Sequence, residues 1–177
     1  MNVWLKIISV IFILLIIYEL VLTYTRYIKR RRVFSIAKSF AESSGKPLMV
    51  IGDPWNGSTN KIFGPSYECG DVCIDLTGCP NCIHGIKSKI ENYLPSVPSD
   101  SYVIFISCVL EYVDSGKIDY IFSEIQRVSG GDYYIVSVEP WTLTALLYPT
   151  RLITGEGNPN QIIYTDYPNK ILEYRVI

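Results

Sequence analysis

The 177-residue chain carries 16 Lys and Arg against 17 Asp and Glu, and 49% of its residues are hydrophobic. That length admits one domain with a substantial core, since domains commonly run to about 100–200 residues. The charges are unevenly placed: beyond Arg32, ten basic residues face sixteen acidic ones, which leaves no basic face for a phosphate backbone and excludes nucleic acid as the expected partner.

In chain order, residues 3–24 read VWLKIISVIFILLIIYELVLTY, with Lys6 and Glu19 the only charges. Roughly 20 apolar residues cross a bilayer core as a helix. A cleaved signal peptide has a shorter apolar core, about 7–15 residues, followed by small residues at the cleavage site. The sequence therefore predicts a retained anchor over 1–28. Arg26, Lys29, Arg30, Arg31 and Arg32 follow it, and positive charge beside a span favours the cytoplasmic side. The same five residues are expected to meet anionic lipid headgroups. Residues 29–45 read as this basic collar, then a short amphipathic helix or linker ending at Ser43-Ser44-Gly45.

The domain is expected over 46–177. Its first strand, Pro47 to Gly52, is apolar without alternation, as suits a parallel strand covered on both faces. A second strand is expected over Asp71 to Leu76. Ile83, Ile86 and Ile90 have helical spacing between Cys82 and Leu94, and Pro95 and Pro98 end that segment. Next come a strand over Tyr102 to Ser107 and a helix capped by Asp114 or Ser115, with Ile118, Ile121, Phe122 and Ile125 on one face. Gly130-Gly131 closes the helix, and Tyr133 to Val138 forms another strand, so this unit predicts a crossover between parallel strands. The tail, QIIYT and ILEYRVI around Tyr167-Pro168-Asn169, predicts an antiparallel hairpin.

Ligands of open parallel sheets bind beyond the carboxyl ends of the strands. Those ends carry Asp53, Asp75, Cys108 to Glu111, and Glu139. Acids at such positions also cap helices or pair with lysines, so both uses stay open.

Four cysteines fall within fourteen residues as C-x3-C-x5-C-x2-C: Cys69, Cys73, Cys79 and Cys82, with His84 close behind. A zinc site would draw on Cys69, Cys79, Cys82 and His84. Cys73 sits in an apolar strand and is expected to point into the core. A cytoplasmic domain favours reduced cysteines in packing or turn roles, whereas one outside favours a Cys79–Cys82 or Cys69–Cys79 bridge.

Val109, Leu110, Glu111, Tyr112 and Val113, then Glu124, Ile125, Arg127 and Val128, then Gly130 and Gly131, stand in the order seen in one large family. About forty residues here resemble the second half of the class I S-adenosylmethionine-dependent methyltransferases. The resemblance implies an α/β, Rossmann-like, mostly parallel sheet flanked by helices, with the C-terminal hairpin inserted antiparallel. It implies S-adenosylmethionine as cofactor, with Asp75 accepting the ribose hydroxyls and Gly52 admitting the amino-acid portion. Asp53, Asn56, Gly57, Cys108 and Glu111 would border it, and Glu139 is placed as a base. Gly52 and Gly57 are farther apart than in the family's glycine loop, and Pro54 lies between them. The expected function is methyl transfer to a small or membrane-proximal acceptor. A non-catalytic scaffold of the same fold and a small zinc-stabilised membrane adaptor are the alternatives.

Overall fold

The computed structural model describes residues 3–56, 60, 63–110, 113 and 115–136. Helix α1 runs without a break over Val3–Ser44. Its first sixteen residues, 3–18, are all exposed, and one 18-residue window has a mean hydropathy of 2.7. This helix is long and apolar enough to cross a membrane. From Arg26 onward one stripe turns inward: Arg26, Arg30, Val33, Phe34, Ala37 and Ala41 are buried. The spacing is that of a helix face. Gly45, at φ +69°, ends the helix in the left-handed conformation that glycine adopts without strain.

Strands β1 (Leu48–Ile51), β2 (Val72–Asp75), β3 (Gly85–Lys87), β4 (Val103–Ser107) and β5 (Tyr133–Val136) form one sheet in the order β3-β2-β1-β4-β5. Every neighbouring pair is parallel. β1, β4 and β5 are buried at every position, which is why their sequences are continuous apolar runs rather than alternating ones.

Side chains of alternate strand positions go to opposite faces. Leu48, Val50, Val103, Phe105, Tyr134 and Val136 pack with the inward stripe of α1. Met49, Ile51, Ile104, Ile106, Tyr133 and Ile135 pack on the other face with α2 (Ile90–Tyr93), the 3-10 turn Leu94–Ser96 and α3 (Ile118–Ser129). The lower half of α1 is thus one of three layers. Phe34 meets Phe105 edge-on at 5.3 Å between ring centroids, and Tyr67 meets the same ring at 5.1 Å. On the opposite face Arg127 donates to the carbonyls of Leu94 and Val97 and grips Glu124, tying α3 to the 3-10 turn.

Two expectations are corrected. The segment from Cys82 to Leu94 is not one helix: Ile86 lies in β3, opposite Ile74, and only Ile90 begins a short helix. Gly85 permits this, because a side chain there would run into the Cys79 carbonyl. Ile83, counted in the helical spacing, is 94% exposed. The helix expected after Asp114 or Ser115 begins at Ile118, preceded by a 3-10 turn over Ser115–Lys117, and Lys117 at its N-cap makes no side-chain cap bond. Gly130 closes it at φ +64° as expected, and β4 and β5 flank it in parallel. Asp114 and the C-terminal hairpin lie outside the described residues.

Candidate functional site

β1 and β4 are central neighbours, and both end at one rim with unusual backbone. Gly52 has φ +110°, and a Cβ there would lie 2.7 Å from the Ser107 carbonyl oxygen. The glycine is needed for the two chains to pass this closely. Cys108, just beyond β4, is a non-glycine residue at φ +53°. Its amide donates to the Val136 carbonyl.

The loop leaving β1 satisfies its own donors. Gly52 N–H donates to the Ile74 carbonyl at 2.8 Å and Asp53 N–H to Asp75 Oδ2 at 3.1 Å. Trp55 N–H donates to Asp53 Oδ1 at 2.9 Å and Asn56 N–H to the Asp53 carbonyl at 3.2 Å. Pro54 has no N–H. No backbone donor of residues 52–56 is left to receive a phosphate, unlike the nests that bind one. What the rim offers is acceptors. Asp75 Oδ1 takes both the amide and the hydroxyl of Thr77, whereas Asp75 Oδ2 takes the Asp53 amide alone and keeps a further lone pair.

Asp53 is 8% exposed, and its carboxyl is held above the usual carboxylate range. Burial is the main cause and the neighbouring Asp75 charge adds to it, while the bond from Trp55 opposes. A group with a raised folded-state pKa supports the fold most in its protonated form, and that support is lost as pH rises through the raised value. Asp53→Asn keeps the acceptor for Trp55 and removes the buried charge. We expect this variant to be more stable than the parent at pH 7, with the gap closing below pH ~4, where Asp is ordinarily protonated. Thermal midpoints at the two pH values check this, and equal shifts at both would contradict it.

Arg26 and Arg30 were expected among five lipid-facing cations. Helical periodicity separates them from Arg31 and Arg32, which are exposed. Arg30 donates through Nη2 to Cys108 Sγ at 2.8 Å, which puts the helix beside the carboxyl end of β4. Arg26, one turn nearer the span, is 7% exposed, and its Nε and Nη2 have no hydrogen-bond partner among the described residues. A buried cation in that condition is costly unless an anion reaches it.

Farther along, Phe40 packs on Tyr134 near the start of β5, so α1 runs opposite to the strands and leaves the domain past their carboxyl ends. Phe63, in the loop after β1, packs on Tyr24 and Tyr27 of α1. With a rise of 1.5 Å per residue, Tyr24 is about 9 Å along the helix from Arg30. The rim therefore faces the apolar segment. Behind it lies Tyr67, a residue the sequence reading passed over. Its hydroxyl donates to the Gly52 carbonyl at 3.4 Å, and burial pushes its pKa up, so it remains a donor.

Of the expected site residues, the structure gathers Gly52, Asp53, Asn56, Asp75 and Cys108 at or next to this rim. Gly57, Glu111 and Glu139 lie outside the described residues. The cysteines differ from expectation. Cys69 is bonded to Cys82 and Cys73 to Cys79, neither of the bridges anticipated. The C-x2-C turn directs Cys79 and Cys82 to two different partners, and the buried Cys73 faces Cys79 across the neighbouring loop. His84 is exposed and holds Cys73 only through its backbone carbonyl, so it does not join the sulfurs. Cys108 takes part in neither bridge. Compared with known proteins, the chain matches no family model, no curated protein and no solved structure.

Proposed function

We propose that this chain is a membrane-anchored α/β domain of Rossmann-like, methyltransferase type. In this reading it takes S-adenosylmethionine at the β1–β4 rim and serves an acceptor at the membrane surface. The observation that carries the reading is the all-parallel order β3-β2-β1-β4-β5. In such sheets the chain leaves β1 in opposite directions on its two sides, and the crevice so opened is where ligands bind.

The chemistry of the rim narrows the ligand class. A turn whose backbone N–H groups at residues 52–56 are all taken, bordered by Asp53 and Asp75, suits a ligand that brings donors and positive charge. S-adenosylmethionine does so through its ribose hydroxyls, ammonium and sulfonium. A dinucleotide brings phosphates, for which residues 52–56 have no spare amide. When bound, the sulfonium supplies an already activated methyl group, so the chain's task is alignment and exclusion of water. Asp75 would hold the ribose, Asp53 and the Gly52 carbonyl the cationic portion, and Arg26 an anionic group of the ligand or acceptor. Glu139 stays the proposed base.

In this reading the domain lies on the cytoplasmic side, which the exposed Arg31 and Arg32 just past the apolar segment support and which requires Cys69, Cys73, Cys79 and Cys82 to be held reduced there. There they would lie against anionic headgroups. Equilibrium dialysis of the full chain in lipid discs tests the reading. It predicts saturable binding of S-adenosylmethionine, weakened at least about tenfold by Asp75→Asn, which is about 1.4 kcal/mol, and none of ADP or NAD. Absence of S-adenosylmethionine binding at millimolar ligand would leave the non-catalytic scaffold as the better account.

A further inference from the structure

β2 and the loops on either side of it bring four sulfurs to one place. Cys73 is within β2 and fully buried, Cys79 is 3% exposed, and Cys69 and Cys82 are half-buried. The Sγ atoms of Cys73, Cys79 and Cys82 lie within 4.8 Å of one another, and Cys69 is bonded to Cys82. Two disulfides side by side and one tetrahedral thiolate centre need the same convergence of side chains. With zinc–sulfur bonds of about 2.3 Å, sulfurs at the corners of a tetrahedron are about 3.8 Å apart, within the span of the Cys73, Cys79 and Cys82 sulfurs, and the bond to Cys82 holds Cys69 Sγ beside that group as the fourth ligand.

The backbone around the sulfurs is shaped as a metal knuckle requires. Cys82 N–H donates to the Cys79 carbonyl at 2.9 Å, closing the Cys79-Pro80-Asn81-Cys82 turn. Gly78, at φ +80°, leads into that turn, and Gly85 lets β3 pass directly under the Cys79 carbonyl. Cys73 N–H donates to the His84 carbonyl, so the turn is fixed to β2 at both ends. Two buried and two half-buried sulfurs give a closed site with no open position, the form of a structural rather than a catalytic zinc.

We propose that Cys69, Cys73, Cys79 and Cys82 bind one zinc ion as a tetrathiolate in the reduced chain. A thiol reductant first opens the two bridges, supplying four electrons and four protons and itself becoming disulfide; the four thiols then release four protons and donate to Zn²⁺ with no further change of oxidation state. The site fastens the loop that follows β1 and the β2–β3 turn to the sheet next to the rim: Cys73 Sγ is 3.7 Å from the Gly52 carbonyl oxygen. It stands independently of the cofactor reading, because none of its ligands is a rim acceptor. It replaces the His84-containing set expected from spacing alone.

The test is metal analysis of the full chain, purified in detergent under thiol reductant without chelator. About one zinc per chain is expected. Cobalt in place of zinc should give strong thiolate-to-metal absorption and tetrahedral ligand-field bands. Cys79→Ser and Cys82→Ser should lose the metal, whereas His84→Ala and Cys108→Ser should keep it. Because the cysteine variants can also lose the fold, the wild-type zinc content and the two retaining variants decide the matter. A folded wild-type chain with all five cysteines titrating as thiols and no metal would overturn the proposal. So would one that keeps both disulfides under reductant, or one whose zinc is lost in His84→Ala.

Discussion

A chain that begins at Phe40 is expected not to fold, whereas one that begins at Thr25 is expected to keep the native sheet. The cut at Phe40 looks harmless from the sequence, because it removes an apolar span and a basic collar and leaves every strand in place. In the structure it removes a layer of the core. Val33, Phe34 and Ala37 are each no more than 5% exposed, and they cover Val50, Phe105, Tyr134 and Val136. Full burial of one Val or Phe is worth about 1.5–3 kcal/mol, and the sheet residues beneath lose comparable cover. The combined loss rivals the whole stability of a typical domain, about 5–15 kcal/mol. Circular dichroism and gel filtration separate the outcomes: the Phe40 chain should aggregate or lack a cooperative thermal transition, and the Thr25 chain should show one. A monomeric, cooperative Phe40 chain would mean that α1 is a tether and no part of the core.

Replacing Gly52 by Ala should destabilise the full chain by roughly 3 kcal/mol. Two independent causes add. At φ +110° a side chain is strained whatever the space around it, and here the space is taken: the added Cβ would sit 2.7 Å from the Ser107 carbonyl oxygen and 3.1 Å from Val109 Cγ2. The first neighbour is backbone of a central strand and cannot turn aside. Gly45→Ala is the internal control. Its φ is +69° with nothing within 4 Å, so it should show only the left-handed strain, about 1 kcal/mol. Denaturant midpoints of the two variants check the difference, and equal losses would mean that β1 and β4 do not pass this closely at the rim.

Local physics carried the strands into view. Continuous apolar runs bounded by Gly and Asp located β1, β2, β4 and β5 to within about two residues, and the crossover rule made β4 and β5 parallel. The rim followed from those ends, so Asp53, Asp75 and Cys108 were legible. Two things were hidden because they depend on the register of one long helix against the sheet. Arg26 and Arg30 look like members of a basic cluster. Only the continuation of their i, i+4 spacing into Val33, Phe34, Ala37 and Ala41 shows that they share the buried face. That continuation was available in the sequence but was broken by treating the span and the collar as separate units. Ile83, Ile86 and Ile90 misled for the opposite reason: helical spacing was present by chance, and contact between Gly85 and the Cys79 turn decided for a strand. The cysteine partners depend on β2 placing Cys73 against the following turn, which spacing alone does not specify.

The claim on which the account rests is that the β1–β4 rim is the ligand site and faces the membrane end of α1. Amide hydrogen exchange of the full chain in lipid discs, with and without S-adenosylmethionine, measures this residue by residue. Slower exchange in the ligand's presence is expected at residues 52–56, 75–78 and 107–110, with β3 and α3 unchanged. Protection confined to other segments, or none at saturating ligand, would contradict it.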